Sequence, residues 1–163
     1  MTKRPVEKGI YVEGLHGQIY RDPPILGKVK VDGSTFEVVE LPGPTKFHFI
    51  GMNKREAYKV GVKTNLPYHI VAVSDVSNIE AEMNTARHEI DEEYVDRYGR
   101  SYNRIVHHLT KHGMPYHIAH RLALWAEDKP WVTPRRVLQH YKEECKREHR
   151  QAYGDRKVKR CQS

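Results

Sequence analysis

The apolar pattern changes period near Ser74, and this constrains the fold more than any other feature of the sequence. Before it, short runs alternate apolar with polar residues. After it, apolar residues recur every three or four positions. The first pattern belongs to half-buried strands and the second to amphipathic helices. The chain therefore reads as an α+β protein with a β-rich half over 1–74 and a helical half over 75–152. The segment 153–163 reads as a basic flexible tail. No Gly/Ser linker separates the halves, so they are expected to pack together.

In the first half, Ile10–Val12 and Gln18–Tyr20 are short β-rich runs. "GKVKVDGSTFEVVEL" (27–41) is the clearest hairpin, with Asp32-Gly33 as its turn. Asp-Gly suits a tight hairpin because both central residues can take positive φ. Phe47–Ile50, "AYKVGV" and "YHIVAV" read as further strands. Strands at this spacing predict a small antiparallel sheet or a partly closed barrel of OB-like or SH3-like type.

In the second half, Ser77 and Glu80 have capping-box spacing. Ile79, Met83, Ala86, Ile90 and Tyr94 lie on one helical face, predicting a long helix over 76–98. Tyr102, Ile105, Val106 and Leu109 mark a second helix. Ile118, Ala119, Leu122, Trp125 and Ala126 mark the inward face of a third. Thr133 can cap a fourth, with Pro134 in its first turn and Val137, Leu138, Tyr141 and Cys145 inside. The helical half is thus a four-helix region with a helix-turn-helix-like pair.

No apolar run approaches the ~20 residues of a membrane span, and the basic N-terminus precedes no apolar stretch. Cys145 and Cys161 do not form a metal-type pair, and two unpaired thiols fit a reducing compartment. A cytoplasmic location is the expectation. The net charge is +7, unevenly spread. Residues 1–74 carry +4, 75–100 carry −5 and 101–163 carry +8. A polyanion would be drawn first to the C-terminal third.

That third contains "HHLTKHGMPYHIAHRLALW" (107–125), with five of the chain's 11 histidines. His108 and His112 are spaced i, i+4, and His117 and His120 i, i+3. Either pair could offer two imidazoles to a metal, but zinc wants three or four converging ligands. With the apolar stripes turned inward, His117 and His120 are expected on the outer side. There is no HExxH. "HEIDE" (88–92) resembles it but lacks the second histidine, and His88 and Glu92 project opposite the apolar face, towards solvent. No metal site is therefore assigned. His108 and His112 are the candidates, and a divalent ion is the alternative cofactor.

Two helices joined by a glycine-containing turn resemble a helix-turn-helix. In one register 103–112 supports a reader over 115–126, with Tyr116, His117, His120, Arg121 and Leu124 outward. In another the reader is 134–150, with Arg135, Gln139, Lys142, Lys146 and Arg150 in one outer sector beside Arg136. Cations and hydrogen-bonding groups in that arrangement suit a duplex groove.

No phosphate loop, GxSxG or nucleophilic-cysteine motif occurs. Catalytic residues are unassigned. An unfamiliar site would draw on His107, His108, His112, Glu89, Glu92 and Glu93. The leading expectation is a nucleic-acid-binding regulatory or accessory protein, compact and basic like a phage product, with duplex DNA as partner. The alternatives are a metal-dependent nuclease or hydrolase using the His-rich helices, and a protein-binding inhibitor or assembly factor docking through helix 76–98.

Overall fold

The structure is a computed structural model that describes residues 6–47, 49–99 and 114–153. It is mixed α+β. The strands are β1 (Tyr11–Glu13), β2 (Ile19–Arg21), β3 (Ile25–Val31), β4 (Ser34–Leu41), β5 (Gly51–Met52) and β6 (Ile70–Ser74). The helices are α1 (Lys54–Val60), α2 (Ile79–Tyr98), α3 (Met114–Ala126) and α4 (Pro134–Tyr153).

The expected hairpin is present. β3 and β4 pair antiparallel from Val31↔Ser34 to Ile25↔Val39. Asp32 and Gly33 both take positive φ, 46° and 81°, as a turn that follows the strand twist requires. The rest of the β half departs from expectation. The strands form an open two-stranded sheet, β1-β2, and an open four-stranded sheet in the order β3-β4-β6-β5, not a closed barrel. β6 runs parallel to β4 and antiparallel to β5, so the larger sheet is mixed. The run "AYKV", expected as a strand, is the end of helix α1. Asn53 caps that helix by accepting from the Glu56 amide at 2.8 Å, and Gly61 ends it at φ 75°. The cap and the left-handed stop outweigh the β-preference of two central residues.

Central β6 is buried along its whole length. A strand covered on both faces loses alternation and reads as a continuous apolar run. Its side chains sort by parity. Val71 and Val73 join Phe36 and Val38 in a core shared with Ala86, Ile90, Ile118, Val137 and Tyr141 of the helices. Ile70 and Ala72 join Val12, Val39, Leu41, Met52 and Ala57 in a second core on the opposite face.

Helix α2 lies between the sheet and helices α3 and α4. Its cap is Asn78, whose Oδ1 accepts from the Ala81 amide at 3.0 Å, one residue beyond the expected Ser77. Ala86, Ile90 and Tyr94 are buried as expected. The helix is also buried on its polar side. His88, Glu89, Asp91, Glu92 and Glu93 are all buried, because α3 and α4 cover the face that periodicity assigned to solvent. Most of the carboxylates of α2 are thus enclosed by the chain's own fold.

Helix α4 follows its reading closely. Thr133 Oγ1 accepts from the Arg136 amide at 3.2 Å, and Val137, Leu138, Tyr141 and Cys145 are buried. On α3, Ile118, Ala119 and Ala126 are buried, but Trp125 sits at the surface with its ring edge-on to His140. The first helix of the expected helix-turn-helix, 103–112, lies outside the described residues.

Candidate metal centre

One turn of α2 supplies most of the site. Residues i and i+4 stack on the same side of a helix, so His88 and Glu92 share a direction and Glu89 points beside them. Helix α3 brings His120 across to meet them. His88 Nε2 lies 2.7 Å from Glu92 Oε1, His120 Nδ1 lies 2.6 Å from the same oxygen, and the two ring nitrogens are 3.1 Å apart. The imidazole rings meet edge-on with centroids 4.8 Å apart.

Three donor atoms from two helices therefore converge on one point. Ligand atoms around a tetrahedral zinc lie roughly 3.3 Å from one another, given bond lengths of about 2.0–2.1 Å. The observed separations need open by less than about 1 Å to admit such an ion. Two imidazoles and a carboxylate are a donor set that suits zinc and its neighbours in the transition series. The residues present fit a metal ion.

The surroundings hold the ligands in place. His88 Nδ1 lies 2.8 Å from Glu127 Oε2. A carboxylate only accepts, so Nδ1 carries a proton and leaves Nε2 to the centre. Glu127 is held by Arg87, whose Nε donates to its backbone carbonyl at 3.0 Å. Burial pushes the His88 pKa down, but the hydrogen bond and charge of Glu92, with Glu89 and Glu127, outweigh it and raise it to about 9. Burial likewise pushes Glu92 up, but His88 and His120 hold it below the usual carboxylate range. A proton on His88 Nε2 thus does electrostatically what a cation would do.

Glu89 is buried next to the ligands. Its pKa rises to about 8, first through burial and then through the charge of Glu92. Asn53 Nδ2 donates to Glu89 Oε2 at 2.8 Å and to its backbone carbonyl at 3.2 Å. Asn53 thereby joins the cap of α1 to the acid. Strand β5 presses against the same turn. A Cβ on Gly51 would stand 2.5 Å from Thr85 Cγ2 and 2.9 Å from Glu89 Oε1. A side chain at Gly51 would force Thr85 or Glu89 to shift.

These residues floor a cleft of about 610 Å³. One wall is the chain from Phe49 to Met52; Val60, Val62 and Leu124 complete an apolar rim. His88, Glu89, Glu92, His120 and Glu127 are the polar floor. Ile50, Val60 and Leu124 are 59%, 57% and 51% exposed around the mouth.

Of the residues singled out in the sequence, His120 is at the centre of this site, not on an outer reading face. Arg121 is exposed and pairs with Glu144 at 3.0 Å, which also binds Arg147. Arg135, Arg136, Gln139 and Arg150 are exposed on α4, with Lys142 and Lys146 half-buried among them. Glu93 is buried and does not line the cleft. His107, His108, His112 and the side chain of His117 lie outside the described residues. In the sequence, His88 and Glu92 read as solvated residues opposite the apolar face of their helix. The available signal was the spacing itself: a histidine, an adjacent glutamate and a second ligand-type residue one turn on.

No protein-family model matches the chain, and neither a curated protein nor a solved structure matches it.

Proposed function

We propose that the chain is a metal-dependent hydrolase acting on extended peptides, with His88, Glu92 and His120 as metal ligands and Glu89 as general base. The observation that carries the reading is the convergence of those three donor atoms, each within 3.1 Å of the others, on the floor of a cleft that Glu89 shares. A bound divalent ion supplies Lewis acidity and makes water a nucleophile near neutral pH. The charge of a bound ion would draw the Glu89 pKa down from its raised metal-free value, so that its carboxylate could accept the proton of the attacking water. The water oxygen bonds to the carbonyl carbon, the C–N bond breaks, and the proton passes to the departing nitrogen.

Two features favour a peptide over a phosphodiester. Among the described residues that line the cleft there is no Lys or Arg, whereas Glu56, Glu89, Glu92 and Glu127 are present. A polyanion would meet carboxylates there. The wall nearest Glu89 is β5, the last strand of the sheet, and its outer edge pairs with no strand among the described residues. A free edge accepts an extended peptide through main-chain hydrogen bonds, and flanking pockets take alternate side chains. Exposed Ile50, Val60 and Leu124 suit apolar side chains.

The test is digestion of a mixed peptide library by zinc-loaded protein, followed by mass spectrometry. Cleavage beside apolar residues, abolished by Glu89→Gln and by chelator, is expected. An intact library with fully metal-loaded wild type would overturn the reading.

A separate proposal concerns α4, where exposed Arg135, Arg136, Gln139 and Arg150 offer a cationic face. Duplex DNA binding by this face would weaken with salt at a log–log slope of about −0.9 per phosphate. Affinity unchanged between low and high salt would remove it.

A further inference from the structure

A second group of acids lies at the other end of α2. Glu40 comes from β4, Asp75 from the residue after β6, and Glu82 from the start of α2. One ligand atom of each lies within 4.8 Å of the other two. Glu40 and Glu82 are buried, at 5% and 2% exposure. Three carboxylates brought together in this way repel one another, and burial raises the cost. Glu82 shows the consequence: its Oε1 has no hydrogen-bond partner among the described residues. A buried oxygen with no donor is a position that a cation would satisfy.

The surroundings give the site an entrance. A cavity of about 230 Å³ opens onto Glu40 and Asp75. Arg21 also lines it, and its guanidinium lies 5.8 Å from the centre of the Tyr11 ring. Asp75 is fixed by its own backbone, whose amide donates to the Leu41 carbonyl at 3.0 Å, while Oδ1 accepts from the Ser77 amide at 2.8 Å.

We infer that Glu40, Asp75 and Glu82 form a second divalent-cation site, of the calcium class, distinct from the imidazole-containing centre. The donors are all carboxylate oxygens, which select hard ions such as Ca²⁺, Mg²⁺ and Mn²⁺ over zinc. The ligands come from β4, the residue that follows β6 and the start of α2, so the bound ion would tie the start of α2 to the sheet. Glu82 precedes His88 by six residues, roughly 9 Å along the helix axis at 1.5 Å per residue. The ion would anchor the helix that carries the hydrolytic residues without touching them.

The alternative is a carboxyl pair, Glu40 and Glu82, that shares a proton and needs no metal. Calcium titration calorimetry and thermal melts at pH 8 separate the two, using wild type, Glu82→Gln, Asp75→Asn and His120→Ala. The inference expects one Ca²⁺ per chain in wild type and in His120→Ala. It expects at least tenfold weaker binding in Glu82→Gln and Asp75→Asn, and a melting temperature raised by Ca²⁺ only where binding persists. Asp75→Asn, at a half-buried position, guards against a folding defect in Glu82→Gln. Absence of Ca²⁺ binding at millimolar concentration would overturn the site. So would binding undiminished in both acid variants, or a Glu82→Gln protein stabilised without calcium while wild type ignores the ion. Because His120→Ala removes only the other centre, the outcome is independent of the hydrolase reading.

Discussion

His88 Nδ1 lies 2.8 Å from Glu127 Oε2, a contact across 39 residues that fixes which face of the imidazole looks into the cleft. Outer carboxylates of this kind typically contribute 10–100-fold to metal affinity. Glu127→Gln is therefore expected to weaken zinc binding by about that factor while leaving the fold intact. Calorimetric titration checks it. Unchanged affinity would mean that Glu127 does not orient the ligand.

Glu89→Gln should separate binding from turnover. The amide keeps the size of the side chain and can still meet Asn53, but it cannot take a proton. Peptide hydrolysis should fall by about 10²–10⁴-fold, with zinc affinity changed only slightly. Loss of both together would make Glu89 a structural or ligating residue.

Gly51 is the point where strand β5 meets the turn of α2 that carries Thr85 and Glu89. Gly51→Ala places a methyl 2.5 Å from Thr85 Cγ2 and 2.9 Å from Glu89 Oε1. Overpacking of this kind costs about 1–3 kcal/mol. Removing the facing methyl in Gly51→Ala/Thr85→Ala should recover part of that loss. Additive denaturation free energies in the double-mutant cycle would show that the two positions do not press together.

The metal-free protein should lose stability in alkali. Asp91 is buried, and burial raises its pKa to about 8; His88 is raised to about 9 against the pull of burial, chiefly by Glu92. Both folded values exceed the unfolded ones, so both contributions are complete at low pH. The Asp91 contribution falls away as pH climbs from about 4 to about 8. That of His88 falls away between about 6.5 and about 9. Chelated protein should thus be less stable at pH 9 than at pH 6 by a few kcal/mol, each pKa unit being worth about 1.4 kcal/mol. Asp91→Asn should flatten the profile below pH 8. A profile identical to wild type would show that Asp91 is not held protonated.

The elements that local chemistry dictates were legible in sequence: the Asp32-Gly33 hairpin, the long α2, and the Thr133 cap with the buried stripe of α4. The turn residues and the 3.6-residue period carry those without help from the rest of the chain. Two things were not legible. The insertion of β6 between β4 and β5 is a tertiary pairing that no local pattern encodes, and α1 rests on caps at Asn53 and Gly61 within a β-like string. The candidate His88–Glu92–His120 centre was not legible for a related reason. A one-faced apolar stripe implies one covered face, yet α2 is enclosed by a sheet and two helices. Several of its buried polar residues meet polar partners there: His88 meets Glu92, Glu127 and His120, and Glu89 meets Asn53. His120 showed the same effect from the other side, being polar yet turned inward towards Glu92.

No helix among the described residues is long and apolar enough to cross a membrane. The most direct measurement is zinc stoichiometry and affinity, by equilibrium titration in the presence of excess Ca²⁺, for wild type, His88→Ala, Glu92→Ala and His120→Ala. The account predicts one tightly held zinc per wild-type chain, with affinity reduced at least a hundredfold in each variant. Wild-type protein that binds no zinc, or variants that bind it as wild type does, would contradict it.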